Sequence, residues 1–113
     1  SIRELYAGRK VTAIGDYACS DMTDVTEIIV PEGVTSIGDY AFDDCDNLRG
    51  LTLGYDGTTT FPSIGTDVFD DCGSFTYIKV RNRVHEQFEN AAKNNTSGWG
   101  AYGDYLRWAA DFE

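Results

Sequence analysis

Aspartate residues recur at regular intervals along the chain, and their carboxylates are the groups best suited to chemistry. They form two rows, which are Asp21, Asp44 and Asp71, and Asp43 and Asp70, with Asp46 close by. Stacked carboxylates repel one another, and a hard cation such as calcium, which takes several oxygen ligands, relieves that repulsion. The spacing differs from the twelve-residue calcium loop. Two interpretations therefore stay open: a calcium site at Asp21, Asp44 and Asp71, or an acidic edge that faces solvent.

The three cysteines also follow a regular spacing. Cys45 and Cys72 lie 27 residues apart at one shared position, which Met22 occupies further upstream, and Cys19 lies outside that row. Because a free Cys behaves as a small hydrophobic residue, the pattern predicts buried free thiols. Neighbouring strands lie about 5 Å apart, so a disulfide between Cys45 and Cys72 is the alternative. Neither a paired Cys-x-x-Cys nor a Cys/His spacing supports a zinc site.

Motifs that carry catalysis do not occur in the sequence. The single histidine, His85, has no nucleophile or carboxylate partner at motif spacing, and we expect it at the surface. The glycines Gly98, Gly100 and Gly103 lack the preceding strand that a nucleotide-binding loop requires. No phosphate loop, nucleophile elbow or His-Glu-x-x-His is present. We therefore expect no enzyme activity and no cofactor.

The charge balance restricts the class of partner. The chain carries 9 basic and 19 acidic residues, for a formal net charge of −10, and between Asp16 and Ile78 the only basic residue is Arg49. Nucleic acids and anionic lipids are unsuitable partners, since their binding depends on Lys and Arg. The sequence contains no stretch of about 18 apolar residues, so we expect no membrane insertion. A basic start followed by an apolar run is also missing, so we expect no signal peptide in this segment.

A repeated sequence positions all of these residues. Val-Thr-Ala-Ile-Gly-Asp-Tyr-Ala-Cys, from Val11, returns 23 residues later from Val34 as Val-Thr-Ser-Ile-Gly-Asp-Tyr-Ala-Phe. A looser third copy begins at Ile64, 27 residues after Ile37. A fixed period in the twenties predicts a stacked solenoid. The aligned copies predict these interior columns: Ile14, Ile37, Ile64; Ala18, Ala41, Val68; Cys19, Phe42, Phe69; Val25, Leu48, Phe75; Ile28, Leu51, Ile78; Val30, Leu53, Val80.

Within each copy the residue types predict two strands and a turn. Residues 26–30 are rich in β-branched side chains and predict a strand, which Pro31 and Gly33 end. Residues 34–37 predict a second short strand, and residues 39–42 a single helical turn capped by Asp39. The inserted residues 54–60 predict a protruding turn or short hairpin. The chain start matches the second half of a copy.

The repeat pattern ends after Val80. Val84, Phe88, Ala91 and Ala92 predict an amphipathic helix that Asn82 caps. A second helix is predicted to place its apolar residues on one face, namely Trp99, Tyr102, Leu106 and Ala109. We therefore divide the chain into a half repeat plus three copies at residues 1–83, with the insertion at 54–60, and a C-terminal α-helical cap at residues 84–113.

Strand alternation predicts a surface for recognition. If Ile28 and Val30 point inward, Glu27 and Ile29 point outward. The outward rows are then Glu4, Glu27, Gly50, Tyr77 and Tyr6, Ile29, Thr52, Lys79. Tyr is common in contact surfaces, so we predict ligand binding at Tyr6, Ile29, Thr52, Tyr77 and Lys79. The alternative is a mixed sheet face that meets only water. The insertion, with Tyr55 and Asp56, is a second candidate.

Several segments together resemble a known repeat family. Ile28-Ile29-Val30-Pro31, Val34-Thr35-Ser36-Ile37-Gly38, Ala41-Phe42, Cys45 and Leu48 resemble the BspA-like class of leucine-rich repeats. This resemblance implies an α+β protein, with a short right-handed, β-rich solenoid and a C-terminal helical cap. It also implies bacterial surface or secreted proteins with an adhesive role, and it carries no shared catalytic motif.

These observations favour a non-catalytic module for interaction or adhesion. We expect secretion or surface display, by the resemblance, and a host protein or glycan as the partner. The alternative is a structural spacer or end-cap of a larger bacterial or phage surface protein, with no ligand of its own. The ligand and the oligomeric state stay open.

Overall fold

Parallel strands arranged in two sheets dominate the computed structural model, which describes residues 4–6, 12–58 and 60–107, the first of these ranges by its backbone alone. The strands are β1 (Glu4–Tyr6), β2 (Ala13–Ile14), β3 (Glu27–Val30), β4 (Ser36–Ile37), β5 (Gly50–Leu53), β6 (Ser63–Ile64), β7 (Tyr77–Val80) and β8 (Leu106–Arg107). Within the described ranges there is one α-helix, α1 (His85–Lys93), which lies between β7 and β8 in the chain. Shorter 3₁₀ segments cover Asn82–Val84, Thr96–Ala101 and Gly103–Tyr105.

Each copy contributes one strand to each sheet. The larger sheet has the order β1-β3-β5-β7-β8 and the smaller β2-β4-β6, and all of their pairs are parallel. Leu5 pairs with Ile28, Ile28 with Leu51, and Leu51 with Ile78. Equivalent residues of successive copies are thus neighbours across the sheet. The strands predicted at 26–30 and 34–37 are present as β3 and β4.

The core lies between the two sheets, where most of the predicted columns are buried. The columns through Ile14, Val25, Ile28 and Val30 are buried in every copy. Burying one such side chain fully is worth about 1.5–3 kcal/mol, so these columns hold the copies together. The column through Ala18 is wrong in its first copy, because Ala18 is exposed. Cys19 and Phe69 are only partly buried.

The turns after the short strands are not helical, contrary to the prediction for residues 39–42. Each copy has two residues in the left-handed backbone conformation. The first position is occupied by Tyr17, Tyr40 and Asp67 in the successive copies, and the second by Asp21, Asp44 and Asp71. These reversals direct backbone N–H groups at the neighbouring copy, as from Phe42 to the Val68 carbonyl at 3.0 Å. Asp39 therefore does not cap its own turn. Its carboxylate accepts the Thr66 N–H at 2.9 Å, and its own N–H donates to the Asp16 carboxylate at 2.7 Å.

The insertion is packed against the core instead of forming a hairpin. Within the described residues 54–58 and 60 there is no strand. Tyr55 is only 4% exposed and packs edge-to-face on Phe61, with ring centroids 5.1 Å apart. Burial of this ring removes Tyr55 from the surface, so the insertion does not offer it for recognition. Asp56, half-buried, accepts hydrogen bonds from Thr58, which hold its pKa down at about 2.

The helix predicted after Val80 is present, but its start differs. A 3₁₀ turn over Asn82–Val84 precedes α1, and Val84 takes the N-cap position without a side-chain hydrogen bond. The prediction that Asn82 caps this helix is therefore wrong. Phe88 and Ala91 are buried, as the amphipathic pattern predicts.

The second predicted helix does not form. Apart from Tyr102, the residues from Trp99 to Tyr105 lie in short 3₁₀ segments, and Leu106 is extended, with φ −61° and ψ 131°. Trp99 is buried, and its indole N–H donates to the Pro62 carbonyl at 2.7 Å. Leu106, expected on a helix face, instead begins β8 and pairs with Ile78. Ala109 lies outside the described residues.

Candidate functional site

The larger sheet presents two rows of outward side chains, which we call the outward sheet face. Strand register places Glu27, Gly50 and Tyr77 in one row. The second row runs through Ile29, Thr52 and Lys79 and continues to Arg107. The register also aligns Glu4 and Tyr6 with these rows, through their backbone positions. The sequence thus predicted which residues share the face, while ligand binding there stays a prediction.

The Tyr77 side chain extends from β7 across β5 to β3. A Cβ atom on Gly50 would overlap the Tyr77 ring, so only glycine leaves room for it. Beyond Gly50 the Tyr77 hydroxyl donates a hydrogen bond to the Glu27 carboxylate. The Lys79 ammonium lies 5.2 Å from the ring centroid, at cation–π distance. These contacts hold the aromatic ring in one orientation.

The surroundings of Tyr77 keep its hydroxyl protonated. Burial, the hydrogen bond to Glu27 and the charge of that carboxylate raise the pKa of Tyr77 to about 12, against a smaller opposing effect of Arg49. The hydroxyl is therefore a donor at neutral pH. Ile29, Thr52 and Lys79 are half-buried around it. The face combines a fixed aromatic ring with a carboxylate, a hydroxyl and an ammonium group.

The acidic side chains converge differently from the predicted calcium set. Carboxylate oxygens of Asp43, Asp70 and Asp71 lie within 4.8 Å of one another. Burial first, and the neighbouring carboxylates second, raise the pKa of Asp43. Asp21 and Asp44 share with Asp71 a left-handed conformation, which Asp adopts more readily than most residues. Backbone geometry thus accounts for that row, and calcium binding stays a prediction.

All three cysteines are free thiols; Cys45 is buried as predicted, but Cys72 is only partly buried, contrary to the prediction. The Cys45 thiol donates to the Cys19 carbonyl at 3.2 Å, and the Cys72 thiol to the Phe42 carbonyl at 3.0 Å. The two bonds are equivalent, since Cys19 and Phe42 share one position in their copies. Contact with the Cys45 thiol and burial raise the pKa of Cys72. The Cys72 thiol is therefore poorly suited to nucleophilic chemistry.

His85 is buried, so its predicted surface position is wrong. It is 3% exposed and begins α1 directly after the 3₁₀ turn. Burial lowers its pKa, against smaller raising effects from Glu89 and a hydrogen bond with the Val80 backbone. The sequence holds no motif that signals this burial.

Sequence reasoning missed a groove between the third copy and the C-terminal segment, which we call the end groove. It has a volume of about 700 Å³ and is lined by Asp67, Phe69, Asp70, Asp71, Tyr102 and Tyr105, among others. The Tyr102 hydroxyl donates to the Gly65 carbonyl at 2.9 Å and so fixes one wall. The sequence predicted a second helix through Tyr102, and a helix there would have arranged the side chains of the groove walls differently.

An aromatic pair formed by exposed Tyr17 and half-buried Tyr40 was also missed. Tyr17 and Tyr40 occupy the same position in successive copies, and their rings stack with centroids 5.0 Å apart and planes 1° from parallel. Tyr17 is 55% exposed. The repeated Gly-Asp-Tyr sequence is the signal that could have revealed it, because in-register copies stack equivalent side chains.

Comparison with known families agrees with the repeat geometry. The family model for the BspA type leucine-rich repeat region matches residues 1–98, with six copies. The chain belongs to the BspA type leucine-rich repeat family. Members of this family are typically surface or secreted proteins, and the repeat is generally a non-catalytic protein-interaction module. Searches of curated proteins and of solved structures gave no significant match.

A mixed α/β architecture with parallel sheets is what this BspA type domain shows over its described residues. Within those residues, no helix has the length and apolar character needed to cross a bilayer. The family assignment thus supports an interaction module in general terms. The outward sheet face, the end groove and the Tyr17–Tyr40 pair are its candidate contact surfaces.

Proposed function

We propose that this BspA type domain is a secreted or surface-displayed, non-catalytic module that binds a protein or glycan through the outward sheet face. In this proposal residues 1–83 form a right-handed solenoid that holds the face rigid, and residues 84–113 cap its end. The family assignment and the in-register parallel strands support this architecture.

The arrangement of Tyr77 is the observation that carries the proposal. Its ring is held by Gly50 below, Glu27 at the hydroxyl and Lys79 at the side. An aromatic side chain that is already ordered loses little conformational entropy on binding. Tyr is also enriched in interface hot spots. A partner that packs against this ring would therefore gain contact area at low cost.

The polar groups around the ring define the kind of partner. Thr52, Lys79 and the Glu27 carboxylate offer hydrogen bonds to a protein backbone or to sugar hydroxyls. The net charge of −10 disfavours nucleic acid and anionic membrane surfaces. A protein or an uncharged glycan can form these hydrogen bonds and is not a polyanion, so it suits this surface.

The experiment is an array of extracellular proteins and glycans probed with the labelled domain and with two variants. Tyr77→Ala removes the ring and Lys79→Glu reverses the neighbouring charge. Glu86→Gln, an exposed change on α1, serves as the control. We expect a specific hit that both face variants weaken about tenfold or more, as truncation of a hot-spot residue does. A hit that neither face variant weakens would overturn the assignment to this face. A folded domain without any hit would favour the spacer or end-cap role.

A further inference from the structure

We propose that the turn edge of the domain is a second contact surface, which takes an arginine-rich polypeptide segment. This surface, the acidic-aromatic edge, consists of Tyr17, Tyr40 and the end groove. It contains none of the residues of the outward sheet face. The proposal is therefore independent of the one above.

Backbone conformation at the tyrosine pair is the first observation. Tyr17 and Tyr40 have φ angles of 58° and 55°, in the left-handed region. That region costs a residue with a Cβ atom roughly 1–2 kcal/mol, and glycine adopts it freely. Stacking of two rings returns about 0.5–1.5 kcal/mol, so it offsets only part of the cost. The fold alone would be served as well by glycine, whereas a strained, exposed aromatic residue is typical of a functional surface.

The geometry connects this pair to the end groove. The Tyr40 N–H donates a hydrogen bond to the Thr66 carbonyl at 3.1 Å, and Thr66 lines the groove beside Asp67. The parallel stack of the Tyr40 and Tyr17 rings extends this surface to the first copy. An aromatic surface spanning two copies thus leads directly into a concave acidic surface.

The walls of the groove are aromatic as well as acidic. Phe69 stacks on Phe75, with centroids 3.8 Å apart, and Tyr105 meets Phe75 edge-to-face at 5.0 Å. Tyr102 is anchored to the Gly65 carbonyl. The groove is thus held by packed rings before any partner arrives, and its volume of about 700 Å³ far exceeds the space of a single ion.

Charge decides what the groove would accept. Three of its lining residues are carboxylates, and among the described residues that line it none is basic. Asp70 and Asp71 lie close to Asp43, and a bound cation would relieve their mutual repulsion. An arginine side chain suits both parts of the edge, because its guanidinium stacks on aromatic faces and bonds carboxylates in a bidentate manner. Lysine offers the charge without the planar geometry.

The test compares arginine-rich and lysine-rich peptides of equal length and charge, with a glutamate-rich peptide as the negative probe. Binding is measured by fluorescence anisotropy at low and moderate salt, in the presence of chelator. We expect the arginine peptide to bind about fivefold more tightly than the lysine peptide. This ratio of dissociation constants is what one cation–π contact at an exposed site contributes. The glutamate peptide should not bind.

Two sets of variants locate the contact. Asp70→Asn with Asp71→Asn should weaken binding of the arginine peptide about tenfold. Glu86→Gln with Glu89→Gln, two exposed residues of α1, removes the same charge and should change binding less than about twofold. Equal losses in the two pairs would mean attraction by net charge alone, and would overturn the proposal.

The tyrosine pair is tested by Tyr17→Gly with Tyr40→Gly. This variant relieves the left-handed strain, so its denaturation midpoint should stay or rise while the preference for arginine over lysine disappears. A preference that survives in the folded variant would overturn the role of the pair. Should the variant not fold, the wild-type preference and the Asp pair still decide the proposal. Binding of calcium without any binding of the arginine peptide would also overturn it, whereas unchanged peptide binding in Tyr77→Ala would support a separate surface.

Discussion

Replacing Tyr77 by phenylalanine should make stability less dependent on alkaline pH. The change removes the hydroxyl that donates to Glu27 and keeps the ring over Gly50 and beside Lys79. In the folded protein the pKa of Tyr77 is raised to about 12 by burial and by Glu27. In the unfolded chain a tyrosine has a pKa of about 10. The folded state therefore holds this proton more tightly than the unfolded state does.

The size of the effect follows from the pKa difference. About two units at 1.36 kcal/mol each set an upper limit near 2.7 kcal/mol. Because Tyr77 is only partly buried, solvent screening reduces this to about 1 kcal/mol. A raised folded pKa contributes stability that is complete below pH 10, and that contribution is lost as the pH rises through about 12. The advantage of wild type over Tyr77→Phe should thus be about 1 kcal/mol at pH 8 and decline between pH 10 and 12.

Urea denaturation of both proteins, at a series of pH values from neutral to 12, measures this difference. Other tyrosines and the lysines titrate in both proteins, so their effects cancel in the difference. Glu27→Gln is the matched background, because its amide still accepts the hydrogen bond but lacks the charge. In that background the decline should be smaller. A difference that stays constant across the alkaline range would refute the reasoning, since it would show that Tyr77 has the same pKa in both states.

Four further predictions concern stability. Trp99→Phe leaves the buried Pro62 carbonyl without its indole donor and should lower the unfolding free energy by about 1–3 kcal/mol in urea; an unchanged value would contradict that bond. The pKa of buried His85 is lowered, so the stability it contributes is present above about pH 6.5 and is lost as the pH falls; His85→Gln should flatten this acid dependence. Asp43→Asn relieves burial and repulsion at a carboxyl of raised pKa, so it should raise the urea midpoint at pH 7, with the gain vanishing as acid protonates wild type. A chain ending at residue 83 should expose the apolar surface that α1 covers and aggregate in light scattering, whereas a monomeric product would argue against a capping role.

Much of the outward sheet face could be predicted from the repeat. Equivalent residues 23 or 27 apart become neighbours once copies stack in register, so Ile29, Thr52 and Lys79 had to share a row. What the repeat does not encode is where a long side chain lies. Tyr77 spans to Glu27 because Gly50 between them has no side chain, and that depends on three strands at once.

Irregular segments were the least predictable part. The insertion and the segment after α1 lack the period that identifies the strands, so local propensity was the only guide. Tyr55 is buried by packing on Phe61, and Leu106 extends the sheet because β7 offers an unpaired edge to it. Both outcomes depend on partners distant in sequence.

The sequence by itself determined the family, the strand register and most of the interior columns of this protein. These features depend on a period, and a period is readable wherever each copy packs chiefly on its neighbours. The tertiary structure alone decided the end groove and the burial of His85. Each of these arises where the chain departs from the period or leaves the sheet, and there the contacts made by distant segments outweigh local preference.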